Sequence, residues 1–150
     1  MNNASPGQND VYWLLTSFLD YFHRLEKANL ERIFNTQIDS AHIFSSKPFL
    51  NGIIGLAYLS SICSSLSGSV LSVQSPIVGA MGHLAAHEMG HNLGLNHDDS
   101  SGFIMSPFID YFNFATTFST RSYSDLQGYM NKSVGHLPFG AQGLCLKICL

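Results

Sequence analysis

His87-Glu88-Met89-Gly90-His91-Asn92-Leu93-Gly94-Leu95-Asn96-His97-Asp98 is the densest run of chemistry-bearing side chains in this sequence. His87 and His91 are four residues apart, so on a helix they project from one face, one turn above the other. Imidazoles so placed converge on one zinc ion at about 2.0–2.1 Å per bond. Glu88, beside the first histidine, is within reach of a water on that metal. Gly94 ends the helix, as glycine does where a chain turns into a left-handed conformation, and the turn lets His97 swing back as a third ligand. Three neutral nitrogens leave the fourth position open, the arrangement of a catalytic zinc site rather than a structural one. The competing reading is a histidine-rich amphipathic helix without metal, and Gly94 and His97 at their fixed offsets weigh against it.

His83 repeats the four-residue spacing and needs a separate decision. At 1.5 Å rise per residue, His83 and His91 stand about 12 Å apart along the axis. One ion cannot hold both at such bond lengths, so His83 reads as a surface or cleft-edge histidine.

Upstream, Ser75-Pro76 reads as the start of this helix, serine as N-cap and proline at the first helical position. Met81, Ala85, Met89 and Leu93 come next on one face. Half of the residues from Ser60 to Ser75 are serine, which reads as an exposed loop, with a strand embedded at Ser69–Val73. Ile53–Leu59 reads as a strand entered by an Asn51-Gly52 turn, and Ala41–Phe44 as another between Asp39-Ser40 and Ser46-Lys47-Pro48. Earlier still, Asn9 or Asp10 caps a helix running to about Ile33. Val11, Leu14, Leu15, Phe18, Phe22 and Leu25 would form its buried face. Downstream of Phe103-Ile104-Met105, Ser106-Pro107 marks a turn, and Asp125–Met130 a last short helix capped by Ser124. Strands interleaved with helices place the chain in the α/β class. Residues 1–10 read as a polar tail and residues 11–150 as one domain.

Composition narrows the function classes. The chain has 150 residues and 16.5 kDa, with 45% apolar and 11% charged residues, against about 25% charged in an average globular chain. Disordered polymers need the opposite balance. A net charge of -3 and a pI near 6.1 provide no basic field for nucleic acid or anionic membrane. The uncharged run Leu50–Gln74 is broken by serines and Asn51, short of the ~20 apolar residues of a membrane span. Met1–Asp10 carries no positive charge, so no signal peptide is expected there. Cys63, Cys145 and Cys149 allow at most one internal disulfide. Two glycosylation sequons, Asn3-Ala4-Ser5 and Asn131-Lys132-Ser133, matter only in a secreted chain. No serine lies in a Gly-x-Ser-x-Gly turn, which leaves serine-nucleophile catalysis without support.

The run from His87 to His97 resembles the extended signature of the metzincin zinc proteases. Asp98 and the Asn92-Leu93 pair are similar to the adamalysin/ADAM (reprolysin, M12B) branch, and Met105 stands where that family places its methionine turn. Gly55-Leu56-Ala57-Tyr58 with Ile62-Cys63-Ser64 resembles the family's edge strand and its cysteine. Phe118-Ser119 and Tyr123-Ser124-Asp125-Leu126-Gln127 resemble the approach to the last helix. The resemblance implies a metzincin-like α/β domain lacking its first strands: a zinc helix, a short mixed sheet and a methionine turn. It implies a zinc metalloendopeptidase of the extracellular space, with His87, His91 and His97 as zinc ligands. Glu88 would be the general base towards zinc-bound water, with Gly94 and Met105 as structural residues near the site. It also implies a Cys63–Cys145 disulfide and a peptide substrate lying along Gly55–Leu59 by β-addition, with Ser106, Pro107 and Phe108 walling the pocket. Protein or peptide substrates are the expected partners, without nucleic acid or a membrane span, and the oligomeric state is not legible.

The sequence also departs from the family. The strand, helix and strand that open the family's domain have no counterpart, which would leave an apolar edge at Ala41–Phe44. The loop from Asp98 to Phe103 is short and lacks bracing cysteines. No acidic residue precedes Ser75-Pro76, and Cys149 has no obvious partner. A truncated, non-catalytic domain that binds zinc or a protein is therefore the alternative reading, and a hydrolase of non-peptide substrates a third.

Overall fold

The computed structural model describes residues 10–134. Expectations placed on residues 1–9, on Cys145 and on Cys149 lie outside the described residues. In chain order the elements are α1 (Val11–Tyr21), a π-helical turn (Phe22–Glu26), α2 (Lys27–Phe34), β1 (Ala41–Ser45) and a 3-10 turn (Leu50–Gly52). After these come β2 (Gly55–Ala57), β3 (Gly68–Ser72), α3 (Val78–Asn92) and α4 (Thr120–Val134).

Asp10 caps α1, its carboxylate accepting from the backbone N–H groups of Tyr12 (2.9 Å) and Trp13 (3.4 Å). Val11, Leu15 and Leu19 recur every fourth residue and bury one stripe against Phe49 and Val70. The stripe does not reach Leu25 as the periodicity predicts. Lys27 N–H bonds back to the Phe22 carbonyl, so this turn holds one residue more than an α turn and rotates the helix beyond it. Leu25 is consequently 62% exposed, and α2, which ends with Asn35 in a left-handed conformation, buries no residue.

The sheet has the order β1-β3-β2, with β1 parallel and β2 antiparallel to β3. Every residue of β3 is buried. Val70 faces α1, and by the alternation of a pleated strand its neighbours Ser69 and Leu71 face the opposite side. There α3 packs against β2 and β3. The result is a helix–sheet–helix layering of α/β type, a small mixed sheet with β3 at its centre. Among the described residues β1 has no strand on its outer side, and Phe44 there is 52% exposed, which is the apolar edge the sequence leads one to expect.

Several boundaries differ from the sequence reading. The strand expected over Ile53–Leu59 pairs only at Gly55–Ala57. Beyond Tyr58 the chain leaves the sheet, and Ser60 and Ser61 donate to the carbonyls of His91 (2.8 Å) and Asn92 (2.9 Å) at the end of α3. The strand expected at Ser69–Val73 begins and ends one residue earlier. Ser75 does not cap α3. Its hydroxyl accepts from Ile77 N–H at 3.1 Å, forming a local turn, and the helix starts at Val78 after an extended Ile77. The last helix begins at Thr120, because Ser119 rather than Ser124 is its cap, accepting from Ser122 N–H at 3.0 Å.

Candidate metal centre

The buried face of α3 is not the apolar row Met81, Ala85, Met89 and Leu93. Met89 is 43% exposed, whereas Ala80, His83, Leu84, His87, Glu88 and Asn92 are buried. Turning histidines, a carboxylate and an amide inward destabilises a helix unless each finds a partner, and most of them do.

α3 stops in a Schellman turn. Leu95 N–H donates to the Gly90 carbonyl and Gly94 N–H to the His91 carbonyl, both at 2.9 Å, and Gly94 at φ +87° takes the left-handed position that disfavours a side chain. This reversal returns His97 to the helix. Its Nε2 lies 3.1 Å from Nε2 of both His87 and His91. The donor atoms of the three histidines all lie within 4.8 Å of one another, and among the described residues they form the group able to hold a metal ion. His83 is outside that group. It is buried rather than on the surface, its Nδ1–H donating to the Ala115 carbonyl at 2.9 Å while its side chain lines the cleft.

The donor set fits zinc. His87 Nδ1–H donates to the Ile104 carbonyl at 2.7 Å, and His91 Nδ1–H to the Leu95 carbonyl at 2.9 Å. These bonds fix the tautomer, so both Nε2 atoms present lone pairs to the common point. Tetrahedral bonds of 2.0–2.1 Å would set neighbouring nitrogens about 3.3 Å apart, close to the 3.1 Å separations observed. Burial lowers the pKa of His91 and brings that of His87 down to about 4, keeping the imidazoles neutral for a cation.

Glu88 is 3% exposed, and its Oε2 is buried without a hydrogen-bond partner. Burial pushes its carboxyl up to about 8; a divalent charge held by the adjacent histidines acts in the opposite sense. Gly55 makes room for it, since a Cβ there would collide with Glu88 Oε1 and stand 2.8 Å from Cδ. The carboxyl group is thus wedged between α3 and the outer strand β2.

Both flanks of His97 are tied to α4. Asn96 donates from its backbone and side-chain nitrogens to Asp125 Oδ2, each at 3.0 Å. Asp98 accepts from Ser119 Oγ at 2.5 Å, and its N–H donates to the Met105 carbonyl at 2.8 Å. Met105 is fully buried with Leu95 and Ile104, its sulfur against Gly90 of α3. The turn through Met105 therefore lies beneath the histidines, and Ile104 supplies the carbonyl that orients His87.

The histidines and Glu88 open into a cleft of about 510 Å³, bounded by Ile53–Ala57 and Leu59 on one side and by Ser106, Pro107 and Ile109 on the other. Among the described residues β2 is an edge strand, bonded to β3 on one side only. Phe108, assigned to the wall from the sequence, does not line the cleft and is 84% exposed. Sequence reasoning gave Asn92 no structural role. It is fully buried and donates to the Tyr58 carbonyl (2.9 Å), Ser61 Oγ (3.0 Å) and the Gly68 carbonyl (3.2 Å). It also accepts from Ser40 Oγ at 3.3 Å. The available signal was an amide on the inner face of the helix, one residue past a metal-spaced histidine.

Comparison with known proteins agrees with this geometry. Residues 8–137 match the family described as "Reprolysin (M12B) family zinc metalloprotease". The chain is similar to snake venom metalloproteinase acutolysin-C of Deinagkistrodon acutus, 36% identical over 107 residues, covering 67% of this chain and 25% of that protein. It is 42% identical over 62 residues to zinc metalloproteinase recombinant fibrinogenase II of the same species, covering 41% of this chain and 27% of that one. Disintegrin and metalloproteinase domain-containing protein 12 of Mus musculus is 34% identical over 112 residues, 65% of this chain and 12% of that protein. The chain thus spans about a quarter or less of the length of these relatives. With a match running from residue 8 to residue 137 and the histidines of the motif brought together in space, this chain belongs to the reprolysin family of zinc metalloproteases.

Proposed function

We propose that the chain is a zinc-dependent endopeptidase, with His87, His91 and His97 as the zinc ligands and Glu88 as general base. The observation that carries this reading is Glu88 itself: a buried carboxylate with an unpartnered oxygen, beside converging imidazoles, at the wall of an open cleft. A domain that only binds metal has no use for such a group, which costs folding free energy. When bound, zinc supplies Lewis-acid polarisation of the scissile carbonyl and lowers the pKa of a water ligand towards ~7.

The chain's own residues do the rest. His87 and His91 are held in the ligating tautomer by the Ile104 and Leu95 carbonyls. Glu88 Oε2 takes the proton from the attacking water and hands it to the departing amine. The free edge of β2 at Gly55–Ala57 offers backbone groups to an extended peptide, continuing the sheet by one strand. This reading carries with it a secreted setting and closure of the Cys63 disulfide through Cys145.

Cleavage of a generic unfolded protein by the purified chain tests the proposal, run beside Glu88→Ala and a chelator-stripped sample. The expected result is loss of cleavage after stripping, recovery with zinc, and a ~10²–10⁴-fold fall in the variant. A folded, zinc-loaded chain without cleavage refutes it and supports the non-catalytic zinc-binding domain.

A further inference from the structure

Of the three histidines on α3, only His83 stands outside the group able to hold a metal ion. It nonetheless lines the same cleft, one helical turn before His87 and about 6 Å from it along the axis. His83 is 6% exposed, and an imidazole so buried costs folding free energy unless its nitrogens find partners. Nδ1–H has one in the Ala115 carbonyl at 2.9 Å. Nε2, across the ring, has no hydrogen-bond partner among the described residues.

The ring is held in a fixed orientation. Ala115 belongs to the segment that follows the Pro107–Ile109 wall of the cleft. Its neighbour Phe114 packs on Gly79, where a Cβ would collide with the phenyl ring. The segment is thereby clamped across the first turns of α3. With Nδ1–H committed to a carbonyl, the neutral ring carries its lone pair on Nε2, so His83 is a hydrogen-bond acceptor in the cleft wall. Ile53, Ile54, Leu84, Pro107 and Ile109 line the same cleft. An acceptor in such an apolar setting discriminates between ligands. An aliphatic group pressed against it removes its water and returns nothing, whereas a donor pairs with it.

We propose that His83 sets substrate preference, selecting beside the cleaved bond a side chain with a neutral hydrogen-bond donor, an amide or hydroxyl, over an aliphatic or acidic one. In a peptide laid along β2, alternate side chains point into the cleft, and those next to the metal centre are within reach of His83. The inference rests on the cleft being the peptide site of the proposed function, and it adds which peptides the site takes. The competing role is structural, with His83 doing no more than pinning Ala115.

A His83→Asn substitution separates the two roles. Asparagine keeps an N–H for the Ala115 carbonyl and removes Nε2. The zinc-loaded full chain carrying Glu88→Ala, which binds without turnover, is titrated with short alanine-based peptides holding a single Gln, Leu or Glu. Fluorescence anisotropy reads the affinities at mildly alkaline pH, where imidazole is neutral. The Gln peptide should bind about ten-fold more tightly than the Leu and Glu peptides, and the preference should vanish in Glu88→Ala/His83→Asn. Equal affinities, a preference for Glu, no binding of any peptide, or a Gln preference that survives His83→Asn each overturns the inference. If the double variant does not fold, the nitrogen NMR shift of His83 Nε2 in the Glu88→Ala chain decides. A shift with the Gln peptide and none with the Leu peptide supports the inference, and any other response overturns it. Cleavage by the parent chain is scored separately. Selective binding without cleavage refutes catalysis and leaves the role of His83 standing; equal cleavage of Gln and Leu peptides refutes that role and leaves catalysis standing.

Discussion

Replacing Asn92 by alanine should destabilise the fold by about 3 kcal/mol. The amide is fully buried; its two N–H protons are shared among the Tyr58 carbonyl, Ser61 Oγ and the Gly68 carbonyl at 2.9–3.2 Å, and its Oδ1 accepts from Ser40 Oγ at 3.3 Å. A buried bond contributes ~1 kcal/mol net, and acceptors left unpaired cost more. Two donated bonds and the one accepted from Ser40 give about 3 kcal/mol, a substantial part of the ~5–15 kcal/mol typical of a domain. Tyr58 and Ser61 retain a bond to each other, through Ser61 Oγ and the Tyr58 carbonyl at 2.9 Å, which offsets part of the loss. The assay is urea unfolding of parent and variant in chelator, so that metal binding does not enter the comparison. The midpoint should fall with an unchanged slope. Asn92→Asp should cost at least as much, since a carboxylate cannot donate to those acceptors. A loss below about 1 kcal/mol for Asn92→Ala with unchanged slope would show that the segment after β2 is held by other contacts.

Three further outcomes are expected. Gly55→Ala forces the Glu88 carboxylate from its place against β2; turnover should drop by ~10²-fold or more at unchanged zinc content, read by paired activity and metal assays. Adding a chelator should lower the urea midpoint, the loss reaching about 4 kcal/mol where free zinc stood 1,000-fold above its Kd. His42, held at Ser69 Oγ by a 2.7 Å bond, has its pKa lowered from 6.5 by burial. The unfolded chain therefore binds more protons below pH 6.5, so the His42 contribution is complete above 6.5 and is lost as pH falls towards the folded value. His42→Gln should flatten that part of the stability profile in chelator, and an unaltered slope would remove His42 from the account.

The legible part of this molecule is the part built from local rules. Asp10, the Val11–Leu15–Leu19 stripe, Gly94 and the spacing of His87, His91 and His97 each act within a turn or two of chain, and the structure places them as that spacing leads one to expect. The differences arise where tertiary contacts override the local pattern. A single π turn rotates Leu25 into solvent, which periodicity cannot foresee. Ser75-Pro76 has the composition of a helix cap but commits its hydroxyl to Ile77. Ser119 takes the cap of α4 because Asp98 fixes its hydroxyl from a distant loop. The strand at Ile53–Leu59 is shortened because Ser60 and Ser61 are needed at the end of α3.

α3 is the element where foldability and chemistry compete. Its buried face carries His83, His87, Glu88 and Asn92, so burial of apolar area stabilises it less than it does α1. The contacts that hold it are polar and long-range: the Asn92 amide on the sheet side, the Ile104 carbonyl at His87, and the Schellman turn at Gly94. Neither His97 nor Glu88 Oε2 shares in that satisfaction; His97 is exposed and Glu88 Oε2 is an orphan. Departures from good local packing concentrate at functional sites, and these two groups flank the point where the imidazole nitrogens converge. A cation there would satisfy His97 directly and oppose the upward shift of Glu88. Metal binding and folding are therefore coupled most strongly through the segment from His97 to Met105, which touches α3 from below and α4 from the side.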